Sequence, residues 1–254
     1  MKVLGIIPAR YGSTRFPGKP LALLSGRPMV QWVYERACQA KMLTEVIVAT
    51  DDRRIFNVVK EFGGRVVMTR ADHPSGSDRI AEVAATSDAE IIVNIQGDEP
   101  LIEPAAIDLG VNILLDNPAA QVGTLIRPIR DVADLRNPNV VKVVLAQDNT
   151  ALYFSRSAIP FCRGAKTEDE WLRQHTYFKH IGLYIFRRDM LLQFVKWPPG
   201  VLEKIESLEQ LRLLEHGVKI HVAVTEYEGR SVDTEEDLET MMKDDGRGLL
   251  NSIE

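Results

Sequence analysis

Four short apolar runs mark the first part of the chain: Val3 to Ile7, Val46 to Ala49, Val66 to Met68 and Ile91 to Ile95. Each is nearly continuous rather than alternating, the pattern of parallel strands covered on both faces. Between them the apolar period lengthens. Pro28 to Ala40 begins with proline in its first turn and sets Met29, Val33 and Ala37 on one side. Asp51 to Phe62 carries Ile55, Val58, Val59 and Phe62 as a stripe, and Ser77 to Ala85 is a third helix with Ser77 suited to its N-cap. Strand and helix alternate, which predicts an α/β fold: a doubly wound, mostly parallel sheet with right-handed crossovers.

The second half is less regular. Val140 to Ala146, Ala151 to Ser155, Ile181 to Phe186 and Val218 to Val224 read as strands, with Phe161 to Gln174 rich in loop residues. Leu202 to Leu214 reads as one helix whose stripe is Leu202, Ile205, Leu208, Leu211 and Leu214, leaving Gln210 directed away from the core. Thr234 to Met242 is the last helix, with Thr234 as N-cap and Asp237 three residues on. No linker divides the chain. One domain is expected over 1–245, with a smaller irregular region at about 130–190 and a tail at 246–254.

The bulk numbers narrow the partners. Hydrophobic residues make up 45% and charged residues 26% of 254, enough for a sizeable core. A net charge of -5 argues against nucleic acid or an anionic membrane surface as partner. No apolar run approaches the ~20 residues of a membrane helix, and the apolar start of the chain is short for a signal peptide. Cys38 and Cys162 lack metal-ligand spacing and read as two free thiols in a reducing cytoplasm.

Chemistry concentrates after the first strand, in Pro8-Ala9-Arg10-Tyr11-Gly12-Ser13-Thr14-Arg15-Phe16-Pro17-Gly18-Lys19-Pro20. Open α/β sheets bind ligands at such strand ends. Arg10, Arg15 and Lys19 match the charge of a triphosphate, and glycines let backbone amides approach it. Walker A spacing is absent, because five residues separate Gly12 from Gly18 and Pro20 follows Lys19. A Gly-x-Gly-x-x-Gly fingerprint is missing from the loop as well, which argues against a nicotinamide oxidoreductase. A second strand end leads into Gln96-Gly97-Asp98-Glu99-Pro100. Asp98 there suits Mg²⁺, a hard cation that takes one or two carboxylates plus phosphate oxygens and water. Asp233, read alone, is a helix-entry residue.

Ile7 to Leu21 resembles the signature of the 3-deoxy-manno-octulosonate (Kdo) cytidylyltransferases, and the likeness runs to about Met242. Phe16 stands where leucine is common, and Glu235 where proline is frequent. The resemblance implies catalytic roles for Arg10, Arg15, Lys19 and Asp98. It implies nucleotide contacts from Pro8, Ala9, Arg10, Gly12, Arg15 and Lys19, and from Ser75, Gly76 and Arg79 of the segment Asp72 to Arg79, where Ser77 replaces threonine. It implies that Asp233 joins Asp98 as a metal ligand. Ala-Leu-Tyr-Phe-Ser-Arg (151–156), His-Ile-Gly-Leu-Tyr (180–184) and Leu-Glu-Gln-Leu-Arg (208–212) look like the family's sugar-binding segments. They imply sugar contacts from Arg156, His180, Tyr184, Glu209 and Gln210, with Gln96. His180 and Tyr184 lie an even number apart, on one strand face. His73, His175, His216 and His221 are left as structural or surface residues.

The implied substrates are CTP and Kdo, the implied cofactor Mg²⁺, and the implied setting a cytoplasmic homodimer feeding lipopolysaccharide synthesis. Rival readings are a cytidylyltransferase for sialic acids, which shares the chemistry without the full set of sugar motifs, and a nucleotide-binding regulator without turnover.

Overall fold

The computed structural model describes residues 1–12 and 15–245. The expected tail at 246–254 lies outside them. The chain divides into two compact units, Met1–Asp108 with the chain from Gly229 onward, and Leu109–Glu228.

In the first unit, β1 (Val3–Ala9) runs into a loop that ends in a short 3-10 turn at Lys19–Leu21. A two-residue ribbon follows, β2 (Leu23–Leu24) and β3 (Arg27–Pro28), then α1 (Met29–Ala37), for which Pro28 is the N-cap. β4 (Glu45–Thr50), α2 (Arg53–Glu61), β5 (Val66–Met68), α3 (Gly76–Ala85) and β6 (Ile91–Asn94) complete the alternation. The strands lie in the order β6-β1-β4-β5 and all pair in parallel. The runs in β1, β4 and β6 are largely buried because helices cover this kind of sheet on both faces, whereas β5 stands at the sheet edge with Val67 exposed, contrary to the expectation for that run. Leu4, Ile6, Ile7, Val48, Ile91 and Val93 are nearly or wholly inaccessible. Ala9 stands opposite Thr50 and Ile6 opposite Asn94, so β1, β4 and β6 finish at one edge.

The α3 cap differs from the expectation. Ser75, not Ser77, caps the helix: its backbone is extended (φ -138, ψ 170) and its Oγ accepts the Asp78 amide at 3.2 Å. Ser77 is already helical and buried, and a residue inside the first turn cannot take the cap conformation.

The division between units falls inside α4 (Pro104–Asp116). The second unit continues with β7 (Val122–Pro128), α5 (Val132–Arg136), β8 (Lys142–Leu145), β9 (Ala151–Ser155), α6 (Glu168–Gln174), β10 (Phe178–Arg187), α7 (Arg188–Phe194), α8 (Val201–Glu206), α9 (Leu211–Glu215) and β11 (Ile220–Val224). β7 lies between antiparallel β10 and parallel β11, and β8 pairs antiparallel with both β10 and β9. The stretch read as loop, 161–174, ends in α6, capped by Thr167.

The single helix expected over 202–214 is two helices. Ser207 takes the left-handed conformation (φ 51) and the Leu208 amide turns back to the Glu203 carbonyl at 3.1 Å, ending α8. Arg156 pins the break through the carbonyls of Glu206 and Ser207. The stripe therefore fails: Ile205 is 75% exposed, whereas Gln210, expected to point away from the core, is 7% exposed.

After β11 the chain returns to the first unit and ends its described part in α10 (Glu235–Asp245). Thr234 and Asp237 cap it reciprocally. Thr234 Oγ1 accepts the Asp237 amide at 3.2 Å, and the Asp237 carboxylate accepts the Thr234 amide at 2.9 Å. Val232, Leu238 and Met241 pack in one cluster with Phe16, Leu24, Met29 and Trp32, which anchors the loop after β1 to the core.

Candidate active site

Three strand ends and one returning segment build an open cleft of about 280 Å³ in the first unit. Pro8, Ala9, Arg10, Arg15, Lys19 and Pro20 come from the β1 loop; His73, Pro74, Ser75, Gly76 and Arg79 come from the entry to α3. Gln96, Gly97, Asp98 and Asp233 complete the lining. The Gly97 position has a steric cause: a Cβ there would sit 2.8 Å from the Pro8 carbonyl oxygen, closer than real contacts allow.

Asp98 and Asp233, far apart in sequence, are brought together by backbone. The Val232 amide donates to the Asp98 carbonyl at 2.8 Å, and the Asp233 amide is held by Asp237 at 2.9 Å. Lys19 Nζ then lies 2.6 Å from Asp98 Oδ2 and 3.2 Å from Asp233 Oδ1, while Arg15 Nη2 lies 3.3 Å from Asp233 Oδ2. Arg10 lines the same cleft and has no ion pair among the described residues. Its charge stands available to an anion.

This donor set fits a divalent cation. One ammonium reaches both carboxylates, so the two acids lie within reach of a common positive charge. Both supply hard oxygen ligands. Among the described residues no third acidic, histidine or cysteine ligand joins them, which leaves the remaining positions of such a cation to other oxygen donors.

Of the nucleotide residues expected from sequence, Gly12 alone does not line the cleft, and a Cβ there would meet nothing within 4 Å. Arg79 lines it but is 3% exposed and already committed, to Asp51 at 3.2 Å and to the Arg70 carbonyl at 3.2 Å. Its guanidinium ties the ends of β4 and β5 at the cleft wall. His73, read from sequence as structural or surface, lines the cleft and hydrogen-bonds Glu82. Its membership of the Asp72–Arg79 segment was the available signal.

Gln96 lines the first unit's cleft; the other sugar candidates lie in the second unit. The His180 and Tyr184 rings meet at 5.2 Å despite a register shift between Ile181 and Tyr184. Thr124 Oγ1 donates to the Leu183 carbonyl at 2.8 Å and lies 3.0 Å from His180 Nε2. With its one proton so used, Thr124 accepts, which assigns the imidazole the Nε2–H tautomer. Burial pushes His180 down to about 3, so it is neutral at ordinary pH. Burial first, then the Glu209 charge, holds the Tyr184 phenol well above its usual value. The phenol oxygen is buried with no hydrogen-bond partner among the described residues. Arg156 spends N–H groups on the carbonyls of Glu206, Pro138 and Ser207, at 2.7, 2.9 and 3.3 Å. Gln210 is the N-cap of α9, and Glu209 lies 3.8 Å from Arg212.

A mixed, mostly parallel sheet with a cationic loop after β1 facing Asp98 and Asp233 is the architecture of an α/β nucleotidyltransferase. The cytidylyltransferase family model matches residues 4–220. The chain is 53% identical to the 3-deoxy-manno-octulosonate cytidylyltransferase of Geobacter sulfurreducens, over 96% of this chain and 99% of that one. It is 54% identical to the protein of the same name from Solibacter usitatus, over 95% and 94%. Among solved structures, a CMP:2-keto-3-deoxy-manno-octonic acid synthetase complexed with CTP superposes with a TM-score of 0.91 at 43% identity, covering 98% of this chain and 100% of that one. The 4-diphosphocytidyl-2C-methyl-D-erythritol synthase of Anaerococcus prevotii shares the fold, with a TM-score of 0.63 at 14% identity over 95% of this chain and 97% of that one. The chain belongs to the cytidylyltransferase family, among the 3-deoxy-manno-octulosonate cytidylyltransferases. No helix among the described residues is long and apolar enough to cross a membrane.

Proposed function

We propose that this protein transfers CMP from CTP to Kdo, forming CMP-Kdo and pyrophosphate. One observation carries the reading: Arg10, Arg15 and Lys19 share a cleft with Asp98 and Asp233, and Lys19 touches both acids. A nucleoside triphosphate needs such cations, and its metal needs such carboxylates. The printed names of the relatives support the choice of CTP and Kdo.

In the reaction the C2 hydroxyl oxygen of Kdo bonds to the α-phosphorus, the bond from that phosphorus to the β-phosphate oxygen breaks, and the hydroxyl proton leaves to solvent. Transfer of this kind asks for alignment and charge stabilisation rather than a covalent nucleophile. Arg10, Arg15 and Lys19 hold the β- and γ-phosphates and offset charge on departing pyrophosphate. Pro8 and Ala9 bring backbone to the nucleotide, Ser75 and Gly76 offer it the start of α3, and Arg79 fixes the ground beneath. Asp98 and Asp233 are the residues that would hold Mg²⁺, which when bound would supply charge neutralisation at the phosphates. For the sugar, the family likeness supports a role for Gln96 in the first unit and, in the second, for Arg156, His180, Tyr184, Glu209 and Gln210. The unpaired Tyr184 hydroxyl favours a polar ligand there, because a buried donor without a partner is costly.

The chain is assigned one functional domain over 1–245 and a cytoplasmic role in supplying lipopolysaccharide synthesis. It is assigned a homodimer through 130–190, where Phe161 is 73% exposed. Pyrophosphate release, followed with a panel of nucleotides and acid sugars, tests the reaction. CTP with Kdo is expected to be the productive pair. Turnover with N-acetylneuraminate and not Kdo would transfer the protein to the sialic acid class.

A further inference from the structure

Arg54 lies on α2, outside the cleft lining, yet it is joined to the phosphate loop. Its guanidinium carbon stands 3.3 Å from the centre of the Tyr11 ring. That ring packs against Gly18, where a Cβ would come within 3.0 Å of it. The Tyr11 carbonyl accepts the Gly18 amide at 2.9 Å, closing the base of the loop, and Gly18 takes φ +75 just before Lys19. Arg54 is itself held. Its Nε and Nη2 lie 3.0 and 2.7 Å from the two oxygens of Asp52, the N-cap of α2, which also accepts the Arg54 amide at 2.8 Å. A chain of contacts thus runs from the α2 cap through Arg54 and Tyr11 to the residue preceding Lys19.

We infer that Arg54 is a positioning residue for the nucleotide: by clamping Tyr11 it presets the turn that presents Lys19 and Arg15. The inference rests on reading the cleft as the CTP site. Arginine suits the task because its planar group forks to a carboxylate while its face stacks on a ring, which an ammonium cannot do. An exposed Arg54–Asp52 pair contributes little to folding, so the clamp acts on binding: a loop ordered beforehand loses less entropy when ligand arrives.

The test is calorimetric titration of the full chain with CTP and Mg²⁺, using Arg54→Ala, Arg54→Lys, Tyr11→Leu and the double variant Arg54→Ala with Tyr11→Leu. Arg54→Ala is expected to weaken CTP about tenfold with unchanged melting temperature and unchanged KM for Kdo. Lysine is expected to recover little of that loss, and the double variant to bind as Tyr11→Leu does. Parent protein that fails to bind CTP would sink the functional reading itself. A parent that binds, with Arg54→Ala binding equally well or with losses that add in the double variant, would overturn the clamp. A lowered melting temperature without loss of affinity would reduce Arg54 to a brace of the Asp52 cap and overturn it too.

Discussion

Lys19 and Asp98 pair in the cleft at 2.6 Å between Nζ and Oδ2, and the same ammonium reaches Asp233 at 3.2 Å. One cation therefore holds two acids together that share its place with any metal. Replacing it with methionine removes a charged hydrogen-bond donor from the phosphates and uncovers the acids. Lys19→Met is expected to weaken CTP by about 1.5–3 kcal/mol, roughly ten- to hundredfold. In the absence of nucleotide the same variant is expected to bind Mn²⁺ several-fold more tightly, about 1 kcal/mol. Calorimetry for CTP and electron paramagnetic resonance for Mn²⁺ read the two effects, and a variant indistinguishable from the parent in both would separate Lys19 from the site.

Gly97 carries a steric prediction. A Cβ at this position would stand 2.8 Å from the Pro8 carbonyl oxygen, which leaves no room for a methyl group, and backbone does not yield as a side chain does. Gly97→Ala is expected to cost about 1–3 kcal/mol of stability and to lower turnover, because the shift displaces Asp98. Chemical denaturation together with a turnover assay checks it. Unchanged values in both would mean that the strand ends are not so tightly set.

His180 makes an acid-limb prediction. Its folded value of about 3 lies below the ordinary 6.5, so between these limits the unfolded chain binds a proton that the folded chain refuses. The stability is fully present above about pH 6.5 and is lost as pH falls toward 3. The slope is at most about 1.4 kcal/mol per pH unit, reduced because the residue retains some exposure. Urea midpoints from pH 7 to pH 5 should decline less in His180→Gln than in the parent; parallel curves would show that the imidazole protonates without penalty.

Tyr184→Phe separates folding from recognition. The phenol oxygen has no partner to lose among the described residues, so its removal is expected to leave stability unchanged or slightly raised. The KM for Kdo is expected to rise about tenfold with the KM for CTP unaffected. Loss of stability with an unaltered KM would assign the hydroxyl to the core.

The first unit was legible because its strands are unbroken apolar runs: Val66 to Met68 and the neighbourhood of β1, β4 and β6 lie where the pattern put them. The cationic loop and Asp98 were legible from their place after such runs. Less visible was β7, whose Gly123 and Thr124 interrupt the apolar signal although Thr124 is wholly buried through its bonds to β10. Helix α4 was missed as well. Its Gly110 lowers helical propensity but is needed where Ile185 approaches, 2.5 Å from a would-be Cβ. Leu202 to Leu214 imitated one amphipathic helix because nothing local announces the turn at Ser207; the residue that secures it, Arg156, is distant in sequence. The meeting of Asp98 with Asp233 likewise depends on the Val232 amide, a contact that neither local pattern contains.

The central claim is most directly tested by phosphorus magnetic resonance on purified protein mixed with CTP, Mg²⁺ and Kdo. The account expects the three CTP resonances to give way to pyrophosphate and a sugar phosphodiester in equal amounts. A CTP spectrum that stays unchanged, or pyrophosphate that forms equally without Kdo, would contradict it.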